Sequence, residues 1–312
     1  MMKALKGILV VLMSLFLVAG VAYWRFAGLI FEWTKRAIRW WAGLERHEVQ
    51  VDDHRWVYLA GGKGEAIVFV HGFGADKDSW ATFPFGLSGS YCLIVPDLPG
   101  FGESSQVAIA RYDVASQVNR LNRFVETIGL DSFHVLGTSM GGYISAYYAS
   151  QYPEKVKSLA LIDAAGVNSR IPSDAWRLYK EEGKNLLLYN TVQQFDELMS
   201  LLFQRPPWIP GQLRAYLLKR RARDYDFYEK IVKDLLNGGM DLLESRLPKI
   251  RAKSLIIWGA NDRMTHVSGV EKFESGIKNS RTVIVENCGH MPFLEKPKET
   301  KAAYRQFLTS LS

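Results

Sequence analysis

From His47 onward the chain alternates short apolar runs with longer amphipathic ones. AIVFV, YCLIVPD, FHVLG, SLALID, SLIIWG and TVIVE are short, β-rich and apolar at successive positions, as strands covered on both faces are. Val114 to Ile128, Tyr143 to Ser150 and Lys298 to Leu311 carry helical periodicity. Strand and helix in alternation predict an α/β fold with a mostly parallel sheet and helices on both faces. Ahead of it, HEVQV and RWVYLAGG, between His47 and Gly62, predict a hairpin.

One connection breaks this rhythm. Roughly ninety residues separate SLALID from SLIIWG, too many for a structureless loop. Phe195, Leu198, Met199 and Leu202 form one apolar helical stripe there, and RPPWIP interrupts with a loop. The expected organisation is a sheet domain over 46–165 and 249–312 that carries a helical lid over 166–248.

The first 45 residues follow another pattern. Gly7 to Trp24 contains no charge, and as a helix it approaches the roughly 30 Å hydrocarbon thickness of a bilayer. Lys3 and Lys6 precede it, Arg25 closes it, and Tyr23 and Trp24 stand at an interfacial position. Gly20-Val21-Ala22 offers a processing site, so a cleaved leader is the rival reading. Downstream, Ile30, Trp33, Ala37, Trp40, Trp41 and Leu44 fall near one helical face and Lys35, Arg36 and Arg39 near another. That pattern suits an interfacial helix behind a retained single-pass anchor; its bland alternative is a helix packed on the globular domain. The charge rule gives no clean orientation, and an extracytoplasmic catalytic domain is slightly favoured. A homodimer packed through these helices is compatible with the pattern.

Composition adds one constraint. The net charge is +7, and in the first 41 residues Lys3, Lys6, Arg25, Lys35, Arg36 and Arg39 stand against Glu32 alone. The basic excess therefore flanks the apolar segment, which fits lipid headgroups and argues against a nucleic-acid surface. Cys92 and Cys288 have no metal or redox spacing and read as small buried hydrophobes. In the lid, Arg214, Lys219, Arg220, Arg221 and Arg223 read as a solvated helix face, or alternatively as a contact with anionic headgroups.

The candidate chemistry sits at strand ends. Gly137-Thr138-Ser139-Met140-Gly141-Gly142 fits G-x-S-x-G between the strand FHVL and the helix YISAYYASQYP, where a sharp turn projects the serine hydroxyl. A serine needs a general base held by an acid. Asp262 follows SLIIWG and His290 follows TVIVE, so both reach the same edge of the sheet as Ser139. Asp163, after SLALI, is the alternative acid. His47, His54 and His134 belong to strands, and His266 is a surface or lid-contact residue. The oxyanion donors expected are the backbone N–H groups of Met140 and of Phe73 in His71-Gly72-Phe73-Gly74. His71 reads as structural, and the loop from Asp97 to Ser104 as turn chemistry.

With these residues in place the chain resembles the α/β-hydrolase superfamily, and more closely its membrane-anchored monoacylglycerol lipase branch. HGFGADKDSW, DLPGFGESS, GTSMGG, GANDRM with the following VSG, and ENCGH carry the resemblance. Certain membrane-bound bacterial phospholipases of similar layout are also compatible. The resemblance implies Ser139, Asp262 and His290 as the triad, Phe73 and Met140 as oxyanion donors, and hydrolysis of a lipid ester. No metal or organic cofactor is expected; the expected partners are the lipid ester and membrane lipids, without nucleic acid. Rival activities are a membrane-tethered general carboxylesterase, a serine C–C bond hydrolase, and a non-catalytic binding protein of the same fold. A dehalogenase or epoxide hydrolase would need a carboxylate at position 139 and is excluded.

Overall fold

The computed structural model describes residue 20, residues 25–239 and residues 243–311. Eight strands form one sheet: β1 (Glu45–Val51), β2 (His54–Gly61), β3 (Glu65–Val70), β4 (Tyr91–Pro96), β5 (Phe133–Thr138), β6 (Val156–Ile162), β7 (Lys253–Gly259) and β8 (Ser280–Val285). Their order is β1-β2-β4-β3-β5-β6-β7-β8. The predicted hairpin is β1–β2, closed at Val51 opposite His54, and β2 also runs antiparallel to β4. All other neighbours are parallel.

The unbroken apolar runs have a direct cause. In β3, Ala66, Val68 and Val70 enter one core while Ile67 and Phe69 enter the other. In β7, Ile256 and Trp258 divide from Leu255 and Ile257 in the same way. Period-two alternation thus buries Ala66 to Val70 and Ser254 to Gly259 in succession because both faces are covered. Helices α2 (Val114–Thr127) and α3 (Met140–Gln151) contribute to the first core, and the C-terminal helix (Pro297–Thr309) to the second.

Four helices lie between β6 and β7: α4 (Asp174–Glu182), α5 (Val192–Leu202), α6 (Gly211–Arg223) and α7 (Tyr225–Asn237). In the expected stripe, Phe195 and Leu198 are buried, while Met199 and Leu202 are partly covered. Leu201, outside that stripe, is buried as well. Thr191 opens α5 with a reciprocal capping box to Gln194.

Two expectations about charge are corrected. The basic run on α6 is a solvated face only in part, with Lys219 and Arg223 exposed. Arg214 pairs with Asp196, Arg220 with Asp76 and Glu32, Arg223 with Asp224, and Arg221 is buried. On the helical residues 25–41 (α1), Lys35 and Arg39 turn inward onto Asp78, while Ile30, Trp33, Ala37, Trp40 and Trp41 face solvent and Leu44 is buried. The carboxylate of Asp78 attracts the cations more than bulk water does, so the helix docks by its charged side. α1 is tied further by Tyr216 donating to Glu32. The apolar run from Gly7 to Trp24 lies outside the described residues apart from Gly20; among those described, no helix is long and apolar enough to cross a membrane. Both cysteines are free thiols; Cys288 is buried and Cys92 half-buried.

A buried charge cluster braces the loops after β3 and β4. Lys77 Nζ, 1% exposed, donates to Asp97 at 2.7 Å and to Glu103 at 2.7 Å. Burial presses Lys77 down, but Asp97 and Glu103 outweigh it and hold the ammonium above its ordinary range. For Glu103, burial acts upward, yet Lys77 and Arg46 bring it down to about 2. Because its folded value is depressed, Glu103 stabilises fully above its unfolded value near 4.5 and loses that contribution as pH falls toward about 2. Glu103→Gln should therefore melt below the wild type at neutral pH, with the gap in Tm closing between about pH 4.5 and about pH 2. A gap independent of pH would separate Glu103 from this cluster.

Candidate active site

The turn between β5 and α3 is set by backbone crowding. A Cβ at Gly137 would lie 2.2 Å from Gly141 O, and one at Gly141 would lie 2.2 Å from Val70 O. Gly142 is pressed against Ala164, 2.6 Å from the position of its missing Cβ. Only glycine fits at these positions, so the chain closes tightly and Ser139 takes φ 54°, unusual for a residue with a side chain. Its backbone is held on both sides: Ser139 N–H donates to Ile162 O at 3.0 Å, and Ala165 N–H donates to Ser139 O at 3.0 Å.

Asp262 and His290 meet beyond the ends of β7 and β8. His290 Nδ1 donates to Asp262 Oδ2 at 2.8 Å, with both side chains buried. Asp262 Oδ1 accepts the N–H groups of Met264 at 2.8 Å and Thr265 at 3.0 Å. Thr265 Oγ1 lies 2.8 Å from Asp262 Oδ2, 3.1 Å from Asp163 O and 3.2 Å from His290 Nδ1; its single proton goes to the shortest contact. With the Nδ1 proton on Asp262, Nε2 keeps the lone pair that a general base requires. The His290 N–H donates to Leu202 O at 2.8 Å, so the end of α5 fixes the histidine loop.

Ser139, Met140 and Phe73 share the wall of a cavity of about 300 Å³. Its apolar lining includes Trp176, Tyr179, Leu186, Leu187 and Val232 from the helical insertion; its polar lining includes Asn168, Thr265 and His266. Gly72 packs against the serine, its missing Cβ position 3.2 Å from Ser139 Cβ. The Phe73 N–H donates to no group among the described residues. Met140 opens α3, where the first N–H groups of a helix have no intrahelical acceptor. Two backbone N–H groups without an acceptor among the described residues therefore belong to residues on the wall that carries Ser139. No hydrogen bond within 3.5 Å joins Ser139 Oγ to His290; catalytic contacts of this kind commonly tighten only with substrate bound.

Two supporting residues, Thr265 and Arg221, escape motif reading, and a third, Asp163, is the alternative acid of the sequence. Thr265 is an ordinary loop threonine in the sequence. Arg221, 6% exposed, lies over the ring of Tyr228 at 3.9 Å and over Phe73 at 5.5 Å, and donates to Leu187 O. Burial lowers its affinity for its proton, and the aromatic faces oppose that. Asp163 sits beside Asp262: one side-chain oxygen of each and a ring nitrogen of His290 lie within 4.8 Å of one another. His71 is structural. Its Nδ1 donates to Gly72 O, its Nε2 accepts from Leu98 N–H, and burial keeps it neutral.

Comparison with known proteins gives the same frame. A family model described as "alpha/beta hydrolase fold" matches residues 65–297. A monoacylglycerol lipase, abhd6-B, of Xenopus laevis is 31% identical, covering 96% of each chain. Lipase 3 of a Moraxella strain is 32% identical over 80% of this chain and 78% of its own. Among solved structures, a membrane phospholipase A described as a bacterial virulence factor superposes with TM-score 0.88 at 39% identity, covering 100% of this chain and 99% of its own. A meta-cleavage product hydrolase of Pseudomonas fluorescens, with TM-score 0.69 and 17% identity, shares the fold alone. On the matched span and these relatives together, the chain belongs to the α/β hydrolase fold family and is a hydrolase.

Proposed function

We propose that this protein is a serine hydrolase of lipid carboxylic esters, acting through an acyl-enzyme on Ser139. The observation that carries the reading is the Asp262–His290 pair at the strand ends, behind a largely apolar cavity walled by Ser139 and two free N–H donors. His290 Nε2 takes the Ser139 proton as Oγ attacks the ester carbonyl. Asp262 holds the imidazole and stabilises its charge. The Met140 and Phe73 N–H groups receive the developing oxyanion, and His290 then protonates the leaving alcohol. Water, deprotonated by His290, attacks the acyl-enzyme carbonyl and releases the fatty acid.

The cavity supports a lipid acyl group because its lining includes Trp176, Leu186, Leu187 and Val232. In this reading residues 166–248 are the lid that selects the acyl chain, over a core of 46–165 and 249–312. The names of the relatives, a monoacylglycerol lipase and a membrane phospholipase A, support glycerolipids as the substrate class. The apolar residues 7–24 would anchor the chain. The outward Trp33, Trp40 and Trp41 on α1, which are 67%, 83% and 78% exposed, suit a lipid interface at which substrate is met.

Ser139→Ala in the detergent-solubilised full chain should lower hydrolysis by about four orders of magnitude while leaving Tm near that of the wild type. Undiminished turnover would remove the central claim. On the wild type, monoacylglycerols, lysophospholipids and diacyl phospholipids should be cleaved faster than a short soluble ester; turnover of the short ester alone would make this a general carboxylesterase. Thr265→Val removes a hydroxyl donor to Asp262. It should lower kcat about tenfold with little change in KM, as loss of one hydrogen bond to a charged group implies. Equal kinetics would show that the Thr265 hydroxyl contributes nothing to the reaction.

A further inference from the structure

β6 delivers Asp163 into the same buried space as Asp262. The residue has φ 45° and is fully buried. Its Oδ1 accepts the Gly259 N–H at 2.8 Å, while Oδ2 is just as buried and has no hydrogen-bond partner. Facing it are the Asp262 carboxyl and the His290 ring, within the 4.8 Å grouping described above. The Cys288 thiol also lies near, held neutral by burial and by the proximity of Asp163. Among the described residues no lysine or arginine pairs with Asp163.

Two carboxylates this close in a water-poor site cannot both be ionised. The hydrogen bonds decide which one keeps the charge. Asp262 accepts two backbone N–H groups, the Thr265 hydroxyl and His290 Nδ1, whereas Asp163 accepts only the Gly259 N–H. Donors stabilise the ionised form, so the charge belongs on Asp262 and the proton on the oxygen that lacks a donor.

We infer that Asp163 is a positioning residue: a carboxylic acid, protonated at neutral pH, that donates its Oδ2–H to the Asp262 carboxylate behind His290. Burial and the neighbouring Asp262 both push the Asp163 carboxyl well above its ordinary range, in keeping with this. The pair then carries one negative charge. The imidazolium formed when His290 takes the Ser139 proton then faces that single charge, which Asp163 helps to hold in place on Asp262. This catalytic consequence rests on the serine-hydrolase reading; the place of the proton does not.

Asn is the discriminating substitution, since it is neutral, accepts from Gly259 N–H and offers an N–H toward Asp262. Asp163→Asn should keep kcat/KM within about threefold of the wild type with the same pH profile, whereas Asp163→Ala, lacking the donor, should lose about tenfold or more. Stability gives an independent readout. A carboxyl whose folded pKa is raised contributes stability fully below its unfolded value, and that contribution is lost as pH rises. Asp163→Asn should therefore gain in Tm relative to the wild type on going from about pH 4 to about pH 8. A Tm difference that stays flat, or activity in Asp163→Asn as low as in Asp262→Asn, would overturn the assignment and make ionised Asp163 the acid that orients His290. If the Asn variant does not fold, carbon-13 labelling of aspartate γ-carbons in the Ser139→Ala chain reads the proton directly. One signal at the protonated position at neutral pH supports the inference; all signals at the ionised position overturn it. That result is independent of whether Ser139→Ala abolishes hydrolysis, so the two readings fail separately.

Discussion

The site depends on a turn that has no room for a methyl group. Gly137, Gly141 and Gly142 each lie where a Cβ would overlap neighbouring atoms, and the backbone they permit carries Ser139 into a left-handed conformation at the end of β5. The strain of that conformation is of the order of 1–3 kcal/mol. It is offset by fixed contacts on either side, Ser139 N–H to Ile162 O and Ala165 N–H to Ser139 O. Those same contacts lock the turn to the end of β6. From there Asp163 accepts the Gly259 N–H at the end of β7, and beyond that end Asp262 holds Thr265 and His290. Ser139 after one strand and His290 after another are thus held in one frame by the residues between them.

Position along the chain made much of this legible. G-x-S-x-G at a strand–helix junction has few physical alternatives, because the glycines answer to a steric requirement that sequence records directly. Asp262 and His290 were readable for a related reason: each follows a strand of a parallel sheet, and parallel strands bring their carboxyl ends to one edge. Thr265 and Arg221 were not readable, since their roles come from distant partners. Arg221 stands in a run of basic residues whose charge argues for solvent. The rings of Phe73, Tyr189 and Tyr228 reverse that argument by offering the guanidinium three electron-rich faces. The inward turn of Lys35 and Arg39 was hidden in the same way, because it depends on Asp78 from a loop some forty residues on.

These misread charges link the N-terminal helix to the reaction loop. Phe73 and Gly74 continue directly into Asp76, Lys77 and Asp78. Asp78 holds Arg39 and Lys35 of α1; Asp76 holds Arg220 of α6; Lys77 is bound to Asp97 and Glu103. Arg221, next to Arg220, packs on Phe73 itself. One short segment therefore receives α1, the helical insertion and the sheet loops. In the proposed reaction the Phe73 N–H must be aimed before the charge develops, since reorganising it during the reaction would give back what it stabilises.

The same segment explains why α1 docks with its tryptophans outward. Three carboxylates, Glu32, Asp76 and Asp78, meet Lys35, Arg39 and Arg220 at the junction of α1, α6 and the loop. Partly desolvated pairs of this kind are weak as net stabilisers but strongly directional, because an unpartnered charge left behind costs more than the pair gains. Rotating α1 to bury Trp33 and Trp40 would break those pairs and strand Asp78, whose side chain is only 6% exposed. The burial of apolar surface loses to that constraint, and the aromatic face is left outward beside a chain end whose preceding residues are apolar. Electrostatics at the loop after β3 thus dictates which face of α1 is left outward.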